Sequence, residues 1–209
     1  VRPGTNVTWG KDTIHVDGNL VHQTVPKITV VLNKPKGVVT TASDPQNRPT
    51  AIQIVKPLKV RLFPIGRLDF HTEGLLLLTN DGELSHRLQH PRFGVPKTYR
   101  TKVKGIPEAR TLARLRSGVM LDGRRTAPAK VHTLGTTGKN TWLEITIKEG
   151  RNRQVRRMCA AVGHPVSKLK RIRYGPIRLT GLKPGAYRRL TTQELDLSLI
   201  HISEPTRPY

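Results

Sequence analysis

Two apolar segments, separated by only five residues, constrain the fold of this chain more than any other feature. Residues 62–68 and 74–78 are almost continuously apolar and are bounded by Gly and Asp-Gly pairs, which predicts two buried strands. Asp69 lies on the connection between them, close to Arg67, in a chain whose formal net charge is +23. On this spacing alone, an acid is more often a surface charge or an ion-pair partner than a catalytic group.

The rest of the sequence alternates predicted strands and helices without a regular βαβ order. Strands are expected at 28–32, 38–41, 97–104, 142–147 and 166–174, and helices at 83–90, 107–115, 153–162 and after a capping box at 191–194. Several neighbouring strands have connections too short for parallel crossovers. We therefore predict an α+β fold, with a mixed and mostly antiparallel central sheet flanked by helices.

The chain of 209 residues is long enough for one substantial core. Residues 1–26 resemble a small β piece, with two short alternating runs around an Asp-Gly turn, and residues 27–196 form the predicted main domain. Residues 197–209 show no core periodicity. We expect this tail to be artefactual or disordered, and we assign it no function.

The charge balance favours a polyanionic partner. The chain has 37 Lys+Arg against 14 Asp+Glu, and nucleic acid is the leading candidate. An anionic membrane is the rival partner, but no broad amphipathic helix, lipidation motif or spanning segment is found, so no membrane partner is expected. With one cysteine, the chain has no internal disulfide, which fits a reducing compartment.

Basic residues are concentrated between positions 148 and 178, a segment that contains ten Lys or Arg residues and a single acid, Glu149. A solvated basic surface remains an alternative, but the excess of arginine over lysine favours phosphate binding. The candidate RNA-binding residues are Arg151, Arg153, Arg157, Lys168, Lys170, Arg171 and Arg173.

The predicted helix at 153–162 also has to bury one face. Its apolar residues at positions 155, 158, 159 and 162 follow the i, i+3, i+4, i+7 spacing, and Arg156 lies at the margin of this stripe. Such an arginine usually has an acidic partner, and Asp69 is available. The pair would keep Asp69 ionised, as a nucleophilic carboxylate requires, although a purely structural bridge is the alternative.

No metal site is predicted. His86 and His90 have i, i+4 spacing, but no third ligand is suggested nearby, so we interpret them as surface histidines near RNA. Cys159 is expected to be a core residue. The sequence also lacks a P-loop and a dinucleotide-binding fingerprint.

Four motifs, taken together, resemble the RsuA family of pseudouridine synthases, which act on ribosomal RNA. They are GRLD at 66–69, GLLLLTNDG at 74–82, KTY at 97–99 and EGRNRQVRRM at 149–158. The resemblance extends over residues 28–195, and the long loop at 41–50 is more similar to the enzymes that act on large-subunit RNA. It implies a pseudouridine synthase fold.

The resemblance implies that the chain isomerises uridine to its C-glycoside without a metal or organic cofactor. Asp69 matches the catalytic aspartate, which attacks the ribose or removes a sugar proton. Arg67 matches the residue that fills the gap left by the extruded base, and Tyr99 matches the tyrosine that packs on the flipped uracil. Arg156 matches the arginine that pairs with the catalytic aspartate, and Leu169 matches an apolar residue that lines the pocket.

The N-terminal segment departs from the family pattern, because residues 1–25 resemble only the last strands of an S4-type RNA-binding domain. The expected partner is a stem-loop of 23S-type ribosomal RNA, bound by a monomer in the cytoplasm, or in an organelle if a targeting segment has been lost. A catalytically silent RNA-binding or ribosome-assembly protein on the same scaffold remains the alternative function.

Overall fold

A computed structural model describes residues 13, 15–20, 26–41 and 43–203, which form thirteen strands and five α-helices. The strands are β1 (His15–Val16), β2 (Asn19–Leu20), β3 (Thr29–Lys34), β4 (Phe63–Ile65), β5 (Glu73–Thr79), β6 (Lys97–Lys104), β7 (Met120–Leu121), β8 (Arg124–Arg125), β9 (Lys130–Thr137), β10 (Asn140–Ile147), β11 (Val166–Tyr174), β12 (Ile177–Arg178) and β13 (Tyr187–Arg189). The helices are α1 (Ala51–Val55), α2 (Gly82–Gln89), α3 (Ala109–Ser117), α4 (Gln154–Ala161) and α5 (Thr192–Ser203), and Lys56–Leu58 and Pro91–Phe93 are 3₁₀ turns.

Nine strands form one mixed sheet with the order β13-β3-β5-β11-β6-β10-β9, while β4 pairs with β5 and β12 pairs with β11. The β5–β11 pair is parallel, and the other pairs in this sheet are antiparallel. The predicted α+β fold with a mixed, mostly antiparallel sheet is therefore confirmed.

Two predicted strands differ from the structure. The segment 62–68 is a strand only at Phe63–Ile65, because the chain then turns into the loop that carries Asp69. The segment 38–41 forms only a single bridge, between Val39 and Thr50. Lys34 explains this difference, because its buried ammonium donates to the carbonyls of Pro35 and Val38 and holds the segment in a loop.

The predicted helices are confirmed, and polar side chains cap two of them. Asp81 accepts the backbone amides of Glu83 and Leu84 at the start of α2. Thr191 and Glu194 form the predicted capping box at the start of α5, each accepting the other's backbone amide. This helix continues to Ser203, so the predicted boundary at residue 197 lies within it.

The N-terminal hairpin forms as predicted, with β1 and β2 antiparallel around Asp17 and Gly18. The rest of the predicted segment 1–26, apart from residues 13 and 26, lies outside the described residues, as do positions 204–209 of the predicted tail. Its assignment to an S4-type domain stays a prediction.

The main core lies between one face of the sheet and the helices α1, α3 and α4. From α4 it receives the predicted stripe, with Val155, Met158 and Cys159 buried. A second core packs Leu75 and Leu77 of β5 under α2. Alternate residues of β10 are buried, so its two faces have different surroundings.

Candidate active site

A cleft of about 520 Å³ lies where the 66–72 loop meets β6, β11 and the start of α4. Its walls bring together predicted residues that are far apart in the sequence. They are Arg67, Asp69, Tyr99, Arg151, Arg153, Leu169 and Arg171. Arg156, Arg157, Lys168, Lys170 and Arg173 do not line this cleft.

The backbone around Asp69 is held by hydrogen bonds from three residues, Gly37, Thr40 and Thr72. The Thr40 hydroxyl donates to the Leu68 carbonyl at 2.9 Å and accepts the Leu68 amide at 3.2 Å. The Thr72 amide donates to the Asp69 carbonyl, and the Gly37 amide donates to the Phe70 carbonyl, both at 2.9 Å. These bonds fix the loop that presents the half-buried Asp69 side chain to the cleft.

The Asp69 carboxylate makes no hydrogen bond or ion pair with any residue in the described part of the chain. The predicted direct pair with Arg156 is therefore not formed. Arg156 instead donates to the His71 carbonyl at 3.0 Å, while its buried Nε has no hydrogen-bond partner in the part of the chain that the structure describes. Burial and the charge of Arg153 lower the pKa of Arg156, and the charge of Asp69 opposes that shift.

Arg156 thus supports the 66–72 loop by donating to the backbone carbonyl of His71, and it acts on the Asp69 charge only at longer range. The sequence pattern placed Arg156 correctly beside the apolar stripe of α4. It could not specify the acceptor, because a loop carbonyl and the carboxylate two residues earlier can both accept hydrogen bonds from a guanidinium.

Tyr99 and Leu169 form the apolar wall of the cleft. The two side chains are only 8% and 6% exposed and belong to the main core. They lie on adjacent strands, where Tyr99 is paired with Arg171 and Leu169 with Thr101. A flat ring next to an aliphatic side chain on rigid strands suits the face of a nucleobase.

Arg171 was predicted on the RNA-binding surface, but it is buried and 2% exposed. Its Nε donates to the Leu75 carbonyl at 2.7 Å, and its guanidinium lies 5.0 Å from the Tyr174 ring centroid. The β11 register directs this side chain towards the core side, where it forms the floor of the cleft. The density of basic residues in the sequence contained no information about this direction.

Two lysines lie near the cleft, where Lys34 is buried and Lys97, which lines the cleft, is half-buried. Burial lowers the pKa of Lys34 to about 8, although the charges of Asp69 and Glu73 oppose the shift. Burial, together with the charge of Arg171, lowers the pKa of Lys97 to about 8. The cleft floor therefore has a high positive potential that suits a polyanionic substrate.

We expect Lys97 to contribute an increase in the stability of the protein as the pH rises from about 8 to about 10.5. Lys97 loses its proton near pH 8 when folded, but near its ordinary value of 10.5 when unfolded, so the unfolded state binds more protons in this window. Urea unfolding at pH 8, 9 and 10 should show that the free energy of unfolding rises less with pH for Lys97→Met than for the unchanged chain. Equal pH slopes for both proteins would contradict this effect.

The remaining predicted arginines differ in availability. Arg153 is exposed at the start of α4, with a left-handed φ of 47°. Arg151 is paired with Glu149 at 3.2 Å, and Arg157 is paired with Asp122. Arg153 is therefore the one of these three that has no acidic partner among the described residues.

Lys168, Lys170 and Arg173 lie on the face of the sheet opposite to Tyr99. Strand register places Lys168 next to Lys102, and Lys170 next to Arg100. We call this surface the open basic face, formed by Arg100, Lys102, Trp142, Lys168, Lys170 and Arg173.

The sequence interpretation did not include three residues of the open basic face. The Arg100 guanidinium lies 5.0 Å and the Lys102 ammonium 5.8 Å from the Trp142 ring centroid. Trp142 is one of only two tryptophans in the chain, and its side chain is partly exposed. The alternation of cations along residues 97–104 could have revealed this face.

In the described part of the chain, no group of three His, Cys, Asp or Glu side chains is placed to bind a metal. No helix there is long and apolar enough to cross a membrane. His86 and His90 are exposed, with ring centroids 5.1 Å apart.

Comparison with known proteins gives consistent results. A family model described as RNA pseudouridylate synthase matches residues 28–161. The ribosomal large subunit pseudouridine synthase B of Bacillus subtilis is 46% identical over 194 residues, which cover 92% of this chain and 79% of that protein. The enzyme of the same name from Pseudomonas aeruginosa is 40% identical over 196 residues, which cover 89% of this chain and 50% of that protein. A crystal structure of a pseudouridylate synthase has a TM-score of 0.77 and 35% identity, covering 93% of this chain and 83% of that one.

Proposed function

This chain belongs to the RNA pseudouridylate synthase family and is an isomerase, and we propose that Asp69 is its catalytic residue and that a stem-loop of large-subunit ribosomal RNA is its substrate. The observation that carries this proposal is the Asp69 carboxylate, which has no partner among the described residues and lies in the same cleft as Tyr99 and Leu169. The names of the two bacterial relatives support the choice of large-subunit RNA.

The proposed reaction exchanges one bond of uridine for another. The bond between ribose C1′ and uracil N1 breaks, and a bond between C1′ and C5 forms. The C5 proton is lost, and N1 gains a proton, so the reaction needs no oxidant or second substrate. Asp69 serves either as the nucleophile at the ribose or as the base that removes a sugar proton.

The target base must leave its stack to reach Asp69. In our proposal Tyr99 and Leu169 hold the extruded uracil, and Arg67, which is exposed at the rim, fills the gap that remains in the RNA. Arg156 holds the loop that carries Asp69, through the His71 carbonyl. Because one chain supplies all these groups, we propose that a monomer acts in the cytoplasm, where bacterial ribosomes assemble.

The alternative function is a catalytically silent RNA-binding protein with the same scaffold. The enzyme and the silent protein can be distinguished by incubating the full chain with large-subunit ribosomal RNA that was transcribed without modification. Carbodiimide-dependent stops of reverse transcription should reveal a new pseudouridine at one position. Salt-sensitive RNA binding without a new stop would support the silent alternative.

We also propose that the open basic face contacts RNA phosphates outside the cleft. Replacing Lys168 and Lys170 together with glutamine should reduce the slope of log affinity against log salt by about 1.5, because each phosphate contact contributes about 0.7 to 0.9. The control is Arg114→Gln, which removes an exposed cation from α3 on the other side of the sheet. Equal slopes for the double variant and the control, measured by filter binding, would exclude this contact surface.

A further inference from the structure

A second, shallower groove adjoins the catalytic cleft and has no role in the mechanism above. It has a volume of about 370 Å³ and is lined by Phe63, Gly82, Ser85, His86, Gln89 and His90. Gln89 and His90 also line the catalytic cleft. RNA that lies in the cleft therefore passes directly beside this groove.

One stripe of helix α2 forms the floor of the groove. Gly82, Ser85, His86 and Gln89 follow the i, i+3, i+4, i+7 spacing, so they share one face of the helix. Gly82 and Ser85 are the small residues of this stripe, and the Phe63 side chain in the same groove is 40% exposed, although Ile65 on the same strand is fully buried. Phe63 is one of only three phenylalanines in the chain, and its exposed side chain is available for contact with a ligand.

Two histidine rings, those of His86 and His90, line the same groove as Phe63, and the Phe93 ring lies near them. The ring centroids of His86 and His90 are 5.1 Å apart, and that of Phe93 lies 6.2 Å from His90. His90 Nδ1 accepts the Arg92 amide at 3.2 Å, which orients its ring. The Arg92 guanidinium lies 4.4 Å from the Phe93 ring centroid. Phe63 lies on strand β4 and His86 on helix α2, and His90 joins that helix to the following 3₁₀ turn, so little backbone conformational entropy is lost when a ligand binds.

We propose that this groove binds an unpaired nucleobase next to the target uridine, by stacking on Phe63 and the histidine rings. The proposal rests on the proposed RNA substrate. Aromatic rings on a rigid support are the usual surface for unpaired bases. None of the six lining residues is acidic, so nothing in the groove repels the RNA backbone.

The test follows the ring protons of His86 and His90 by NMR, with the full chain. Adenosine 5′-monophosphate should shift these signals, whereas ribose 5-phosphate, which has the same charge but no base, should not. His86→Gln and His90→Gln identify the signals. This measurement requires no turnover, so it remains valid even if the chain modifies no uridine in the transcript. Failure of the proposed isomerisation and failure of the proposed base-binding groove can therefore be distinguished.

Variants of Phe63 identify the stacking surface. Phe63→Leu keeps an apolar side chain but removes the ring, and should weaken binding of adenosine 5′-monophosphate about fivefold or more. Phe63→Tyr keeps the ring and should bind as the unchanged chain does, and melting temperatures establish that both variants are folded. Shifts of equal size with ribose 5-phosphate, or equal affinities of the leucine variant and the unchanged chain, would overturn the proposal.

Discussion

Replacement of Asp69 with asparagine is expected to abolish pseudouridine formation while RNA affinity stays within about threefold. Asparagine has nearly the same shape, but its amide is neither a nucleophile nor a base at neutral pH. Loss of the central catalytic group typically lowers the rate by about 10⁴-fold or more. The loop should keep its conformation, because its anchors at Thr40, Thr72 and Gly37 bind backbone atoms and do not involve the carboxylate.

Single-turnover measurements on the mapped RNA test this expectation, together with filter binding. Glu108→Gln is the matched control, because it also removes one negative charge, from a side chain that is 67% exposed and outside the cleft. It should retain full activity. Appreciable isomerisation by the Asp69→Asn protein would show that another group performs the chemistry.

Replacement of Gly74 with alanine is expected to destabilise the protein by about 4 kcal/mol or more. An alanine Cβ would lie 2.2 Å from the Arg171 carbonyl oxygen, and that neighbour is backbone, which cannot move aside. The Gly74 φ of +107° adds strain for any residue with a side chain. The site matters because the parallel pairing of β5 with β11 joins the two halves of the sheet there, next to the cleft floor.

Thermal unfolding should show a melting temperature that is lower by about 10 °C, or no folded protein at all. Gly82→Ala is the control for stability, since its φ is not positive and a methyl group there would meet no atom within 4 Å beyond its chain neighbours and its own helix backbone. Alanine at this first position of α2 should leave the melting temperature unchanged or slightly raise it. Similar melting temperatures for the two variants would contradict the close approach of β5 and β11.

Local patterns in the sequence were sufficient to predict several elements of the fold. Strands β6 and β11 have the predicted bounds, because each alternates side chains between a buried and a more exposed face. The stripe of α4 was predictable from helical spacing. The position of Asp69 directly after an apolar segment also identified the loop that now borders the cleft.

The partners that those elements meet could be known only from the folded chain. The register between β6 and β11 places Arg171 on the side of Tyr99 and Lys168 on the opposite face, although both belong to one basic segment. Arg156 binds the His71 carbonyl, which is 85 residues away in the sequence. Burial of a charged side chain depends on the strand that lies opposite, and that neighbour is chosen by long-range packing that a local pattern does not contain.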